Sequence, residues 1–133
     1  MTLYLLDTNA VSDMIALQPL VARHISDRLA AGDTLGLCRP VHYEVLRGLL
    51  WRNAAGKLHI YQRRVVPLLI WVEMIQVDWD QAARFWAEAR RRGRQLGDPD
   101  LFLAALTHRE GAILVSSDTD FDALPVRRED WRV

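Results

Sequence analysis

The strongest constraint on the fold lies at the start of the chain, where four apolar residues run directly into Asp7. Residues 3–6, Leu-Tyr-Leu-Leu, have the uninterrupted apolar character of a strand that is buried on both faces, as in the centre of a parallel sheet. Asp7 then falls at the carboxyl end of that strand, the edge at which open α/β sheets bind ligands. The alternative is that Asp7 or Asn9 only caps the helix that follows.

Strand-like and helical segments alternate along the rest of the chain. Further strands are predicted at residues 34–38, 74–77 and 112–116, with a short edge strand from Val126. Helices are predicted at about 9–16, 19–31, 41–53, 58–73 with an interruption at Pro67, 78–95 and 98–109. The helix at 98–109 is apolar almost all round and is therefore predicted to be buried. This alternation predicts an α/β fold over residues 1–133, with a central parallel sheet and helices on both faces. The arginine-rich end is predicted to be a surface tail.

Composition narrows the class of protein. The length of 133 residues suits one domain, and no apolar run reaches the roughly 18–20 residues needed to span a bilayer. The N-terminus lacks the features of a signal peptide. The single cysteine, Cys38, excludes a disulfide framework and a cysteine-rich zinc site, and it fits a cytoplasmic location. The net charge is zero, so bulk charge gives no argument for a nucleic-acid partner.

Four acidic residues are predicted to converge on one edge of the sheet. Asp7 and Asp118 each follow a predicted strand, Asp100 lies at the start of the buried helix, and Glu44 lies one turn into the helix that begins near residue 41. In a doubly wound sheet, the carboxyl ends of strands share an edge with the N-termini of the helices that follow. A cluster of carboxylates at that edge is the main functional hypothesis.

Each acid also has a purely structural interpretation. Glu44 could form a surface ion pair with Arg47. The segment from Asp118 to Asp120 could be a turn held by hydrogen bonds from side chain to backbone. Asp98 is predicted to be the N-cap of the helix that contains Asp100, and for Asp98 the capping role is favoured. It is the coincidence of four acids at one edge that favours a binding site.

Carboxylates that are close together repel, so their pKa values rise unless a cation joins them. All the donors are oxygen atoms, which suits hard cations such as Mg²⁺ or Mn²⁺. Such a cation can activate a water molecule for attack on a phosphate and offset charge on the phosphoryl oxygens. The sequence contains no nucleophile elbow, phosphate-binding loop or dinucleotide glycine motif that would point to another chemistry.

Four stretches together give a specific resemblance: residues 5–9, 43–48, 97–105 and 111–121. In order and spacing they resemble the PIN-domain ribonucleases of the VapC type, the toxins of type II toxin–antitoxin pairs. The resemblance implies a single PIN-like domain with a parallel sheet of about five strands. It also implies an endoribonuclease that depends on Mg²⁺ or Mn²⁺, inhibition by a small cognate antitoxin, and a homodimer.

Residue by residue, the resemblance implies that Asp7, Glu44 and Asp100 are the core metal ligands and that Asp118 is the fourth acid. The accessory residues that it implies are Thr8 or Asn9, which would steady metal-bound water, Asp120 as a further acid, and Arg47, which would contact RNA phosphate or the antitoxin.

Other functions compete with this hypothesis. One is a PIN-type nuclease of RNA processing without an antitoxin. Another is a regulatory module that binds Mg²⁺ without hydrolysis, like response-regulator receivers, but the only lysine, Lys57, is far from the place those proteins require. Acid–base cleavage by a histidine pair is disfavoured because none of the four histidines has a supporting context. The arginine-rich residues 90–94 could steer RNA or be a solvated helix end. A groove lined by tryptophan could hold an antitoxin helix; the candidates are Trp51, Trp71 and Trp86.

Overall fold

Five parallel strands form one sheet in this computed structural model, which describes residues 1–133. The strands are β1 (Leu3–Leu6), β2 (Thr34–Leu37), β3 (Ile70–Trp71), β4 (Ile113–Val115) and β5 (Arg127–Glu129). Their order across the sheet is β3-β2-β1-β4-β5, and every neighbouring pair is parallel. The N-terminal strand is therefore central, and its last three residues are buried, as its uninterrupted apolar run predicts.

Six α-helices connect and cover these strands: α1 (Thr8–Ile15), α2 (Pro19–Ala30), α3 (Arg39–Trp51), α4 (Ala55–Ile60), α5 (Gln76–Arg91) and α6 (Asp98–Glu110). The sheet order extends from β1 toward β3 and then reverses, so right-handed crossovers place helices on both faces. None of the helices combines the length and the apolar character needed to cross a membrane. The predicted fold class is confirmed.

The register of the central strands fixes the position of the functional edge. Leu6 of β1 pairs with Val115 of β4, and the Asp7 backbone N–H donates to the Val115 carbonyl at 3.0 Å. Asp7 and Ser116 therefore leave the sheet side by side. Because both strands run in the same direction, the helices that follow β1 and β2 also begin at this edge.

Helix α6 lies against the sheet, where it packs on β1, β4 and α5. Its buried residues include Leu101, Leu103 and Leu106, so the prediction of a buried helix is confirmed. Proline at its second position and Gly111 after its end delimit the helix. Gly111 has a left-handed backbone (φ 59°), a conformation that favours glycine at a helix end. The rigid setting of α6 fixes the position of Asp100 in its first turn.

The predicted strand at residues 74–77 is wrong. The third strand is only Ile70–Trp71, an edge strand whose Ile70 side chain is half exposed. It lies within the apolar residues 68–72, which were predicted to be the end of the preceding helix. Residues 74–77 instead lead into α5. The Asp78 carboxylate accepts the Ile75 backbone N–H at 2.8 Å, so Asp78 caps α5 from its first turn rather than from the N-cap position. Helix α5 ends at Arg91, before the predicted end at residue 95.

The interruption at Pro67 is confirmed, but the segment around it is more irregular than a kinked helix. Helix α4 starts at Ala55, and a turn of π-helix (Tyr61–Val65) and a turn of 3-10 helix (Val66–Leu68) follow it. The Tyr61 side chain is fully buried, and its hydroxyl oxygen lies 2.6 Å from Nδ1 of His42 on α3. This contact ties the irregular segment to the core.

Two predictions at chain boundaries also need correction. The N-cap of α6 is Gly97, so Asp98 is the first helical residue and not the cap. The C-terminal end is not a surface tail, because Trp131 is 2% exposed and stacks on His24 with a ring separation of 5.2 Å. Arg132 beside it forms an ion pair with Asp13 of α1 at 2.6 Å.

Candidate metal centre

Asp7 is the most enclosed acid of the site, with only 4% of its surface exposed. It is the N-cap of α1, and its Oδ1 accepts the Thr8 backbone N–H at 2.8 Å. Its Oδ2 accepts the Ser116 hydroxyl at 2.7 Å and the Asn9 amide at 3.1 Å. The capping interpretation is thus confirmed in part, but capping uses one oxygen only. The side chain is held in a single orientation at the sheet edge.

Glu44 projects from α3 toward the same edge. Its Oε1 accepts the Thr8 hydroxyl at 3.0 Å, and its Oε2 lies 3.5 Å from Nη2 of Arg47. The predicted ion pair with Arg47 therefore exists, although the Arg47 side chain is 55% exposed and the pair is weak in water. Thr8 links the first two acids, because its backbone bonds to Asp7 and its side chain bonds to Glu44.

Asp100 completes the cluster from the first turn of α6. One carboxylate oxygen from each of Asp7, Glu44 and Asp100 can be chosen so that all three lie within 4.8 Å of one another. The Asp100 carboxylate accepts no hydrogen bond from the protein. Three predicted ligands from three separate helices and strand ends are thus brought together as the sequence suggests.

The electrostatics of the cluster follow from burial and repulsion. Burial raises the pKa of Asp100 to about 7, and the negative charges of Asp7, Glu44, Asp118 and Asp120 act in the same direction. Burial also raises the pKa of Asp7, while its hydrogen bonds from Ser116 and Thr8 act in the opposite direction. A site with these properties holds excess negative charge near neutral pH, which a bound cation would neutralise.

Asp118 and Asp120 lie outside the 4.8 Å cluster. Asp118 is the N-cap of a 3-10 turn (Thr119–Ala123), and its Oδ1 accepts the Asp120 backbone N–H at 2.9 Å, as in the turn interpretation. The negative charge of Asp118 raises the pKa values of Asp7 and Asp100, so Asp118 belongs to the rim of the site. Asp120 points to Arg94, with an Oδ1–Nη1 distance of 3.4 Å.

Ser116 contacts the acidic cluster although it is not among the residues predicted from the sequence. It is 1% exposed, and besides donating to Asp7 its hydroxyl oxygen accepts the Asn9 amide at 3.1 Å and the Asp118 backbone N–H at 3.0 Å. The sequence places Ser116 at the end of a predicted strand, but only the pairing of Leu6 with Val115 brings its hydroxyl to Asp7. Asn9 in turn accepts the Ser117 backbone N–H at 3.2 Å.

No histidine or cysteine joins the acids. His24 stacks on Trp131, His42 bonds to Tyr61, and His108 packs edge-on against Phe85. Burial raises the pKa of the enclosed Cys38 thiol to about 12, which leaves it uncharged at neutral pH. The donor set is therefore entirely oxygen, which suits a hard divalent cation.

The sequence profile of the PIN domain matches residues 4–126, which is nearly the whole chain. The chain belongs to the PIN-domain family. Within the family, this PIN domain is 32% identical over 106 residues to ribonuclease VapC11 of Mycobacterium tuberculosis, an alignment that covers 78% of the chain and 74% of that relative. It is similar to the same extent to the VapC ribonuclease Mb1587 of Mycobacterium bovis. The predicted resemblance to VapC proteins is confirmed.

Solved structures show the same fold at lower sequence identity. A chain in the structure of VapBC2 from Rickettsia felis, bound to a DNA fragment from its promoter, aligns with a TM-score of 0.81 and 22% identity, over 98% of this PIN domain and 99% of that chain. A chain of VapBC-1 from nontypeable Haemophilus influenzae aligns with a TM-score of 0.81 and 18% identity, over 98% of both chains.

Proposed function

We propose that this PIN domain is a divalent-metal-dependent endoribonuclease in which residues 1–133 act as one nuclease domain. The observation that carries the proposal is the convergence of the Asp7, Glu44 and Asp100 carboxylates within 4.8 Å. The ribonuclease names of its relatives support RNA as the substrate. The proposed reaction is the hydrolysis of phosphodiester bonds within the RNA chain.

The acidic cluster fits a hard cation in its donor atoms and in its charge. We assign Asp7, Glu44 and Asp100 as the ligands of Mg²⁺, with Mn²⁺ able to replace it. Asp118 is the fourth acid. Its Oδ2 accepts no hydrogen bond within the protein and is therefore available to a cation at the site. The raised pKa of Asp100 means that a proton leaves this carboxyl group when a cation binds near neutral pH.

The protein's own groups prepare the site before any ligand arrives. Ser116 and Asn9 orient the Asp7 carboxylate, and Thr8 orients Glu44, so these two ligands lose little freedom on binding. When bound, a divalent cation supplies Lewis acidity toward water and the phosphate oxygens. Arg47, which is half exposed beside Glu44, is placed to contact a phosphate or a partner protein.

We also propose that the enzyme is the toxin of a VapBC-type pair, as the VapC names of its relatives suggest. A groove of about 630 Å³ adjoins the site between α3 and the first turns of α5 and α6. Tyr43, Trp79 and Phe102 line it, and the Trp79 and Phe102 side chains contact each other edge to face at 4.7 Å between centroids. The apolar part of the groove suits the apolar face of an amphipathic helix, and the groove also contains the charged side chains of Arg39, Arg47, Glu73 and Asp98. A small cognate antitoxin and a second copy of the chain are the proposed protein partners, and a cytoplasmic location remains a prediction.

The nuclease proposal is tested with purified protein and total RNA, with and without Mg²⁺ or Mn²⁺. We expect discrete cleavage that requires metal and is lost in Asp7→Asn, because this change removes a ligand charge and leaves the side-chain volume almost unchanged. The matched control is Asp98→Asn, two residues before Asp100 but exposed, which should cleave normally. Circular dichroism of all variants checks the fold.

Undiminished cleavage by Asp7→Asn would contradict the assigned site, and cleavage that persists in EDTA would contradict the metal dependence. The toxin role is tested by coexpression with the product of a small neighbouring reading frame. That product should suppress both RNA cleavage and growth arrest; an unaffected nuclease would favour an RNA-processing enzyme without an antitoxin.

A further inference from the structure

Four arginines lie within five residues at the end of α5. The arginine segment, residues 90–94, is exposed throughout, and Arg90, Arg91 and Arg92 form no ion pair with any carboxylate. The Arg90 guanidinium lies over the Trp86 ring at 4.5 Å, and Nη1 of Arg92 donates to the Ala123 carbonyl at 2.9 Å. The segment is thus a patch of largely uncompensated positive charge that is tied to the turn after β4.

The backbone fixes the direction of the last arginine. Gly93 has a left-handed conformation (φ 72°), and the Arg94 backbone N–H donates back to the Ala89 carbonyl at 2.8 Å, which closes a Schellman motif at the end of α5. The side chain of Arg94 then reaches Asp120, with 3.4 Å between Nη1 and Oδ1. The Asp120 backbone N–H donates to Asp118 at 2.9 Å, and the Asp118 backbone N–H donates to the Ser116 hydroxyl, which in turn bonds to Asp7. Arg94 therefore lies on the rim of the acidic cluster.

The ion pair between Arg94 and Asp120 is weak enough for Arg94 to exchange its carboxylate partner for a phosphate. The two side chains are 52% and 51% exposed, and ion pairs at such positions are weak because water and salt screen them. A guanidinium group can instead bind a phosphate through two parallel hydrogen bonds, which is a stronger and more directional contact. Because the acidic cluster repels a polyanion, a strand that approaches it needs positive charge at the rim.

We propose that the arginine segment binds the RNA backbone beside the acidic cluster, and that Arg94 exchanges Asp120 for a substrate phosphate. Arg94 is therefore a positioning residue for the strand to be cut. This inference rests on the proposed nuclease function and adds to it the side from which the strand enters. The Schellman motif and the Arg92 contact hold the segment in place, so the contact is made with little loss of backbone freedom.

The test measures RNA binding separately from cleavage. The full-length chain, in EDTA, is titrated against a fluorescein-labelled oligouridine of about 20 nucleotides, a single strand without structure, and anisotropy is followed at several salt concentrations. Loss of one phosphate contact should lower the salt slope by about 0.7 and weaken binding about fivefold near 0.1 M salt, so this is expected for Arg94→Ala. Arg94→Lys should keep the slope, because the slope counts charge.

The matched control is Arg63→Ala on the π-helical turn, which removes the same charge from an exposed arginine without an ion pair and should bind like the wild type. Binding by Arg94→Ala with unchanged Kd and slope would overturn the proposal, even if its Tm fell, since the ion pair would then be structural only. An equal loss in Arg63→Ala, or no binding by the wild type, would overturn it too. The nuclease proposal fails separately, if the wild type shows no metal-dependent cleavage.

Discussion

Replacement of Asp100 by asparagine should make the metal-free protein more stable at pH 8, and the gain should shrink toward pH 5. The pKa of Asp100 rises from its usual 3.8 to about 7 in the folded chain, mainly because of burial and then because of repulsion from Asp7 and Glu44. A carboxyl group whose pKa is raised by folding stabilises the folded chain in full only at a pH below the pKa that the group has in the unfolded chain. That stability is lost as the pH rises through about 7. The amide of asparagine does not titrate, so the variant lacks this contribution to the pH dependence.

The size of the effect follows from the linkage between protonation and folding. From pH 5 to about pH 7, Asp100 keeps its proton in the folded chain and has lost it in the unfolded chain. Over these roughly two pH units the linkage lowers the free energy of unfolding by about 2.7 kcal/mol before any screening. Asp100 is partly exposed, so solvent screening reduces the difference to about 1–1.5 kcal/mol. For a domain of this length that corresponds to a shift of about 3–6 °C in Tm.

The assay is thermal unfolding, followed by circular dichroism in EDTA at pH 5 and at pH 8, for the wild type, Asp100→Asn and Asp98→Asn. Asp98 lies on the same first turn of α6 but is exposed, so its variant should follow the pH dependence of the wild type. Excess Mg²⁺ at pH 8 should raise the Tm of the wild type and not that of Asp100→Asn, because only the wild type retains the full ligand set. Identical pH dependence in the wild type and Asp100→Asn would refute the reasoning.

Three further substitutions test the surroundings of the site. Ser116→Ala should lower the affinity for Mn²⁺ about 10–100-fold by calorimetry, since it removes the hydrogen bond that orients Asp7; unchanged affinity would exclude this role. Arg109→Ala should lower the free energy of unfolding, measured in urea, by about 3–5 kcal/mol, because it leaves the charge of Asp78, which is 1% exposed and bonds to Arg109 at 2.8 Å, buried without a partner. Adding Asp78→Asn should restore part of the lost stability. If the double variant recovers none of it, the loss does not come from a buried charge. Trp131→Ala should cost about 3–5 kcal/mol in the same assay, whereas Trp51→Ala, at 87% exposure, should cost under about 0.5; equal losses would contradict the packing argument.

The sequence predicted the structure best where a local run of apolar residues determines the element that forms. The apolar run at residues 3–6 is typical of a buried strand, and the acids that follow two neighbouring parallel strands share an edge. The sequence was least informative where a single tertiary contact decides. Arg109 of α6 donates to Asp78 at 2.8 Å and so holds the carboxylate that accepts the Ile75 backbone N–H at the start of α5, whereas residues 74–77 by themselves have the apolar pattern of a strand.

The same distinction applies to the site. The order of strands and helices predicted that four acids share one edge, and the family resemblance singled out Asp7, Glu44 and Asp100, which are the three that the structure brings together. The role of Ser116 depends on register, since only the pairing of Leu6 with Val115 places its hydroxyl against Asp7. The C-terminal residues show the limit of a prediction from composition. The charged end of the chain contains Trp131, whose buried ring packs against both His24 and Tyr4.

The two aspartates at the centre of the site are built differently, and the difference has a chemical consequence. Asp7 is the more enclosed, yet hydrogen bonds from Ser116 and Thr8 favour its charged form and oppose the effect of burial on its pKa. Asp100 accepts no hydrogen bond, so burial and repulsion act on its pKa unopposed. The Asp7 carboxylate is therefore held in one orientation by its hydrogen bonds, whereas a cation that bound at Asp100 near neutral pH would displace a proton. On the proposed assignment a cation and a proton would compete for Asp100, so we expect the affinity for a cation to decline as the pH falls below about 7.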